Sequence, residues 1–161
     1  MNQEQKVCEF LGSLNINFIK HTHPPVYTVE EANLHWKDIS GLHCKNIFLR
    51  NKKGNRHYLV VVPSEMNVDI KNLNELLGER LSFASPERLM KYLGIEPGSV
   101  SPFGLINDDT KHVVVVLEGE VMAAQEVNFH PNVNTATLTI SGVGFKKFLS
   151  ACGNNVVTID I

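Results

Sequence analysis

The chain lacks an excess of charge of either sign: 15 Lys and Arg stand against 17 Asp and Glu, a formal net charge of −2. That balance excludes the broad basic coat of a protein that grips nucleic acid with its whole surface, and confines any such contact to a local patch. Cysteine is scarce. Cys8, Cys44 and Cys152 are an odd set with no C-x-x-C spacing; they supply neither a disulfide framework nor a zinc knuckle, and they fit a reducing cytoplasm. No apolar run reaches the length of a membrane span, and Met1-Asn-Gln-Glu-Gln5 has no signal-peptide character. A Gly-x-Ser-x-Gly elbow, a P-loop and a dinucleotide fingerprint are all missing, which removes three common catalytic and cofactor readings. There are no internal repeats, low-complexity tracts or linkers, so residues 1–161 read as one domain.

What is present is a normal core-forming composition, 43% hydrophobic and 20% charged. Val7, Phe10, Leu11 and Leu14 recur at helical spacing and predict a helix from Asn2 to Leu14, followed by a strand over Asn15–Ile19. Thr28-Val-Glu-Glu31 has the form of a capping box, opening a short helix toward Trp36. Cys44–Arg50 and Tyr58–Val62 read as strands joined by a hairpin turn at Asn51-Lys-Lys-Gly-Asn55. A helix over Asn72–Leu77, a short strand at Leu81–Ala84, and a helix begun by Ser85-Pro86 and stopped at Gly94 follow. Further strands are expected at Val113–Leu117, Val127–His130, Thr135–Ile140 and Val156–Ile161, with a helix from Ser141 to Ala151. Helices and strands alternate without a βαβ rhythm. The fold class is therefore α+β, with a mixed, strongly curved, partly barrel-like sheet flanked by helices.

Three segments can carry chemistry. Gly94–Gly104 holds three glycines and two prolines around Gly98-Ser-Val-Ser-Pro102. By composition such a loop is ordinary turn chemistry, a tight connection between helix and strand; the other reading is a frame of backbone N–H groups for a developing negative charge. Lys45-Asn46 opens a strand; the ammonium fits either a solvated surface or a cleft that binds phosphate or carbonyl oxygen. In Phe129-His-Pro-Asn-Val-Asn-Thr-Ala-Thr137, His130 is held extended by the following proline, and Thr135, Thr137 and Thr139 share a strand face. That run suits a small polar pocket or an edge strand. His21-x-His23 has no cysteine or carboxylate at a zinc spacing, and neither Cys44 nor Cys152 has a recognisable base partner.

Lys45-Asn46, Gly98-x-x-x-Pro102 with Phe103-Gly104, and Phe129–Asn132 leading into Thr135–Ile140 occur in the order found in the YbaK/prolyl-tRNA synthetase-associated editing domains. The chain resembles that family along its whole length, and within it the free-standing alanyl-tRNA(Pro) deacylases most. The resemblance implies hydrolysis of the ester that joins a wrong amino acid to tRNA(Pro). A synthetase site cannot reject a smaller apolar analogue by binding alone, so a second, hydrolytic site supplies the discrimination.

The resemblance also implies roles. Lys45 and Asn46 orient the substrate, Gly98 and Ser99 supply loop contacts near the scissile carbonyl, and Gly98 N–H is the oxyanion donor. The 2′-hydroxyl of the terminal adenosine places the attacking water. His130 shapes the amino-acid pocket, with Pro102, Phe103, Phe129, Asn132 and Thr137 as further substrate contacts. No metal or cofactor is implied. The implied partners are the acceptor end of mischarged tRNA(Pro) and, transiently, prolyl-tRNA synthetase or an elongation factor. A rim of Lys45, Arg50, Lys52, Lys53, Arg80, Arg88 and Lys91 is available for the tRNA. A cysteinyl-tRNA(Pro) deacylase, a small-ester hydrolase and a non-catalytic tRNA- or proline-binding module of the same fold remain the alternatives.

Overall fold

The N-terminal helix α1 (Gln3–Ser13) begins with a reciprocal cap, in which Gln5 N–H donates to Asn2 Oδ1 and Asn2 N–H to Gln5 Oε1. The computed structural model describes residues 1–161, with the side chain of Val29 excepted. The first strand, β1 (Phe18–Thr22), starts three residues later than expected. Asn15 takes a left-handed conformation, φ 58°, and Ile16 N–H returns to Leu11 O. The helix exit therefore consumes the residues whose alternation suggests strand.

Helix α2 (Val29–Trp36) follows, its first turn closed by Glu31 N–H donating to Thr28 Oγ1. Strands β2 (Leu42–Asn51) and β3 (His57–Pro63) form the expected hairpin. Asn51 Oδ1 accepts from the N–H groups of Asn55 and Arg56, which ties the turn to the strand end. Helix α3 (Ile70–Leu77), strand β4 (Leu81–Phe83) and helix α4 (Pro86–Leu93) come next. Ser85 caps α4 with Pro86 at its first position, and Gly94 ends it in the left-handed region.

Pro102–Asn107 forms a 3₁₀ helix where the sequence suggests only a loop. Strand β5 (Val114–Glu118) runs directly into helix α5 (Gly119–Ala123), a single capped turn that the sequence reading does not foresee. Strands β6 (Glu126–Phe129) and β7 (Ala136–Ser141), helix α6 (Gly142–Cys152) and strand β8 (Val156–Ile159) complete the chain.

The strands form one mixed sheet in the order β1-β7-β6-β2-β3-β5-β8, with β4 also paired to β2. β2–β6, β3–β5 and β5–β8 are parallel; the other pairs are antiparallel. β1 and β8 stand at opposite ends and do not pair, so the sheet is open. The mixed sheet flanked by helices is as expected, and it does not close into a barrel. Each residue of β3 is buried, as befits a central strand covered on both faces. Leu59 and Val61 join a core with Phe103, Phe129, Phe145 and Phe148, whereas Tyr58, Val60 and Val62 pack with Leu73 and Ile159. Truncating a fully buried phenylalanine such as Phe103 costs about 3–5 kcal/mol, which sets how firmly that core backs the site.

Candidate active site

One edge of β2 is paired to β3 over Cys44–Arg50. The opposite edge is covered only at its ends, by β6 against Leu42 and His43 and by β4 against Leu49–Asn51. Cys44, Lys45 and Asn46 lie in the uncovered interval and line a cavity of about 220 Å³. Gly98 and Val100 close it from the Gly94–Gly104 loop, His130 from the end of β6, and Val26, Tyr27, Thr28, Ala32 and Trp36 from α2 and the segment before it.

The loop's geometry is local in origin. Ser99 N–H donates to Glu96 O across a turn with Pro97 and Gly98 at its centre, and Gly98 has φ +91°. That is the type II pattern, in which the second central position demands a residue free to adopt positive φ. The Gly98 N–H meets no protein acceptor among the described residues, whereas the Ser99 N–H is spent on the turn. Asn46 Nδ2 donates to Val100 O at 3.1 Å and fastens the loop to β2. Asn46 Oδ1 is buried and unpartnered among the described residues.

His130 donates from Nδ1 to Ala136 O at 2.8 Å, which leaves Nε2 as an acceptor. Burial lowers its pKa; the Ala136 bond opposes the shift and His23 reinforces it. The ring is therefore neutral near pH 7. His23 is fixed in turn: Nδ1 donates to Pro24 O and Nε2 accepts from Thr137 Oγ1, each at 2.9 Å. Its ring stacks on His35 at 5.3 Å and meets His130 edge-on at 6.0 Å. Cys44 lines the cavity as a thiol, because burial pushes its pKa up to about 12.

Of the expected site residues, Lys45, Asn46, Gly98 and His130 come together at the cavity. Ser99, Pro102, Phe103, Phe129, Asn132 and Thr137 are buried but do not line it. Phe103 and Phe129 touch each other edge to face, 5.9 Å between centroids, within the aromatic core. Thr137 is engaged by His23. Asn132 sits at φ 62° with both amide atoms buried and unpartnered among the described residues. Arg88, expected on a basic rim, instead donates to Gly54 O and to His57 Nε2. Tyr27, Thr28, Ala32 and Trp36 also line the cavity; the sequence shows Thr28 as a helix cap and Trp36 toward the helix end, and nothing local reports which wall a helix will form.

Residues 23–148 match the family described as the aminoacyl-tRNA editing domain. A protein of Acetoanaerobium sticklandii named prolyl-tRNA editing protein ProX is 41% identical over 164 residues, covering 100% of this chain and 99% of the relative. A mouse prolyl-tRNA synthetase associated domain-containing protein 1 is 32% identical over 155 residues, covering 93% of this chain and 91% of the relative. Among solved structures, a candidate trans-editing enzyme for prolyl-tRNA synthetase superposes with a TM-score of 0.71 at 22% identity, covering 99% of this chain and 95% of its own. A second, a hypothetical protein, gives a TM-score of 0.74 at 21% identity, covering 95% and 97%; at these identities the two show a shared fold. By sequence over most of its length and by architecture, the chain belongs to the aminoacyl-tRNA editing domain family.

Proposed function

We propose that this chain, acting as one editing domain over residues 1–161, hydrolyses the ester of mischarged tRNA(Pro), with alanine as the amino acid removed. The observation that carries the reading is the convergence of Lys45, Asn46, Gly98 and His130 on one small cavity in a chain of this family. The named activity of the Acetoanaerobium relative supports tRNA(Pro) as the nucleic acid.

Water adds to the ester carbonyl carbon, the tetrahedral oxyanion collapses, and the terminal ribose oxygen leaves and takes up a proton. The products are free alanine and uncharged tRNA. The unengaged Gly98 N–H is the donor for the oxyanion, an arrangement whose removal costs about 10²–10³ in rate where it operates. Lys45 balances the negative charge of the terminal phosphate and the ester region. The substrate's own 2′-hydroxyl places the water. His130, neutral and presenting Nε2 as an acceptor, receives the α-ammonium rather than abstracting a proton. Asn46 acts chiefly through the loop it holds, and Ser99 through the Glu96–Ser99 turn. No metal ion enters this scheme.

Val26, Ala32, Cys44 and Val100 give the cavity an apolar wall. A methyl side chain fits such a wall, and rejection of the proline ring is a matter of volume. The reaction takes place in the cytoplasm, with prolyl-tRNA synthetase or an elongation factor as a transient partner. The test is a deacylation panel with Ala-, Cys-, Ser- and Pro-tRNA(Pro). Selective loss of alanine supports the proposal. Selective loss of cysteine reassigns the substrate, and no turnover on any member leaves a binding module.

A further inference from the structure

We propose that Tyr27 is the stacking platform for the terminal adenine of the substrate, holding the base outside while the ester enters the cavity. This rests on the editing reading above and adds a binding residue that no motif in the chain designates. Tyr27 is 70% exposed, yet it lines the cavity. Its ring borders Gly98: a Cβ built there would sit 3.5 Å from Tyr27 Cδ1 and 4.0 Å from Cε1. The ring therefore stands at the cavity beside the Gly98 loop, with most of its surface open to solvent. The terminal base hangs on the ribose that carries that ester, so a base leaving the cavity has this ring as its neighbour.

The ring is held for such a task. Pro24 and Pro25 stiffen the chain before it. Asn134 Nδ2 donates to Val26 O at 3.1 Å, and Thr28 caps α2 immediately after. The backbone of Tyr27 is thus pinned on both sides, and its side chain has only two torsions to fix. Of the other rings lining the cavity, Trp36 is stacked on His43 at 4.6 Å and His130 is held by its bond to Ala136 O. Among the described residues, Tyr27 alone combines a position on the cavity with a largely exposed ring. Base–aromatic stacking is worth about 1–3 kcal/mol and tolerates any base. A tRNA 3′ end presents an unpaired purine, which is the chemistry such a face takes.

The test pairs the protein with a uncharged CCA trinucleotide and with the same trinucleotide ending in an abasic ribose, titrated at low salt. Wild type, Tyr27→Phe and Tyr27→Ala are compared; the exposure of the side chain makes both variants safe for folding. Tyr27→Phe is expected to bind like wild type. Tyr27→Ala is expected to weaken binding about 5- to 150-fold. Removing the base should weaken wild type by the same factor, and the two changes together should be no worse than either alone. On charged tRNA, Tyr27→Ala should raise KM with kcat little changed. Equal binding of the trinucleotide by Tyr27→Ala and wild type overturns the proposal. So do losses that multiply, or no measurable binding by wild type. Failure of the editing reading shows separately, as absence of deacylation by wild type, and the titration still decides the role of Tyr27.

Discussion

The carboxamide of Asn46 donates to the carbonyl oxygen of Val100 across 54 positions of chain, so that a strand and a loop become one wall. One of the two N–H groups of its amide is committed to the loop, while Oδ1 stays buried and unpartnered among the described residues. Asn46→Ala removes the tie and is expected to cost about 0.5–1.5 kcal/mol of stability, with a larger proportional loss of deacylation because the Gly98 N–H is no longer held in place. Melting temperature and single-turnover deacylation, measured on the same preparation, separate the two effects. A loss of stability without loss of rate would reduce Asn46 to a structural tie.

Lys45 lines the cavity half-buried, and among the described residues no carboxylate lies within ion-pair distance. Lys45→Ala should therefore leave the melting temperature nearly unchanged while deacylation falls by about 10²-fold or more. Lys45→Arg is not expected to restore it, since a planar fork replaces a compact ammonium. Intact deacylation by folded Lys45→Ala protein would remove Lys45 from the mechanism.

Gly98 carries φ +91°, and the position of its absent Cβ faces the Tyr27 ring. Gly98→Ala is expected to destabilise by about 1–2 kcal/mol through backbone strain, and to slow deacylation beyond what that loss explains. Gly98→Asn, which tolerates left-handed backbone better, should recover stability before it recovers rate. Full activity in Gly98→Ala would return the segment to an ordinary turn.

His57 is fully buried and donates from Nδ1 to His112 Nε2 at 2.9 Å, because Arg88 already donates to its Nε2. Burial pushes its pKa down to about 4, with His112, Arg88, Arg50 and Lys91 acting in the same direction. The unfolded chain, with an ordinary imidazole near 6.5, then binds more protons than the folded one between pH 6.5 and 4. Stability is complete above that window and falls as the pH drops through it, by on the order of 2–3 kcal/mol at its lower end. Denaturation curves between pH 4 and 8 should show this slope in wild type and a shallower one in His57→Gln. Parallel slopes would place the acid sensitivity elsewhere.

Cys44 shares the cavity with Lys45, and burial keeps its thiol protonated far above neutral pH. Cys44→Ser is expected to retain deacylation, and iodoacetamide at pH 8 to leave wild-type activity in place. Loss of the acyl-transfer step in Cys44→Ser, with trapping of an acyl-enzyme in wild type, would point to covalent catalysis instead.

The turns and helix ends were legible in the sequence because they are decided within four or five residues. Ser85-Pro86, Ser141 and Asn51–Asn55 behave as their side-chain chemistry requires. The start of β1 misleads because a helix exit and a strand compete for Asn15–Asn17, and the hydrogen bond from Ile16 to Leu11 favours the exit. The single turn of α5 carries too few residues for a periodicity to register.

By itself the sequence determined the α+β class, the hairpin, the caps and, through the order of three motifs, the family and four residues of the cavity. Only the tertiary structure decided that the sheet stays open, that Phe103 and Phe129 lie in the core and do not line the cavity, that Arg88 turns inward to His57, and that Tyr27 and Trp36 line the cavity. The reason is physical. Caps and turns are settled by dihedral preference and hydrogen bonds between near neighbours, whereas a cavity wall depends on contacts such as Asn46 to Val100 and Asn134 to Val26, which form only when distant segments pack.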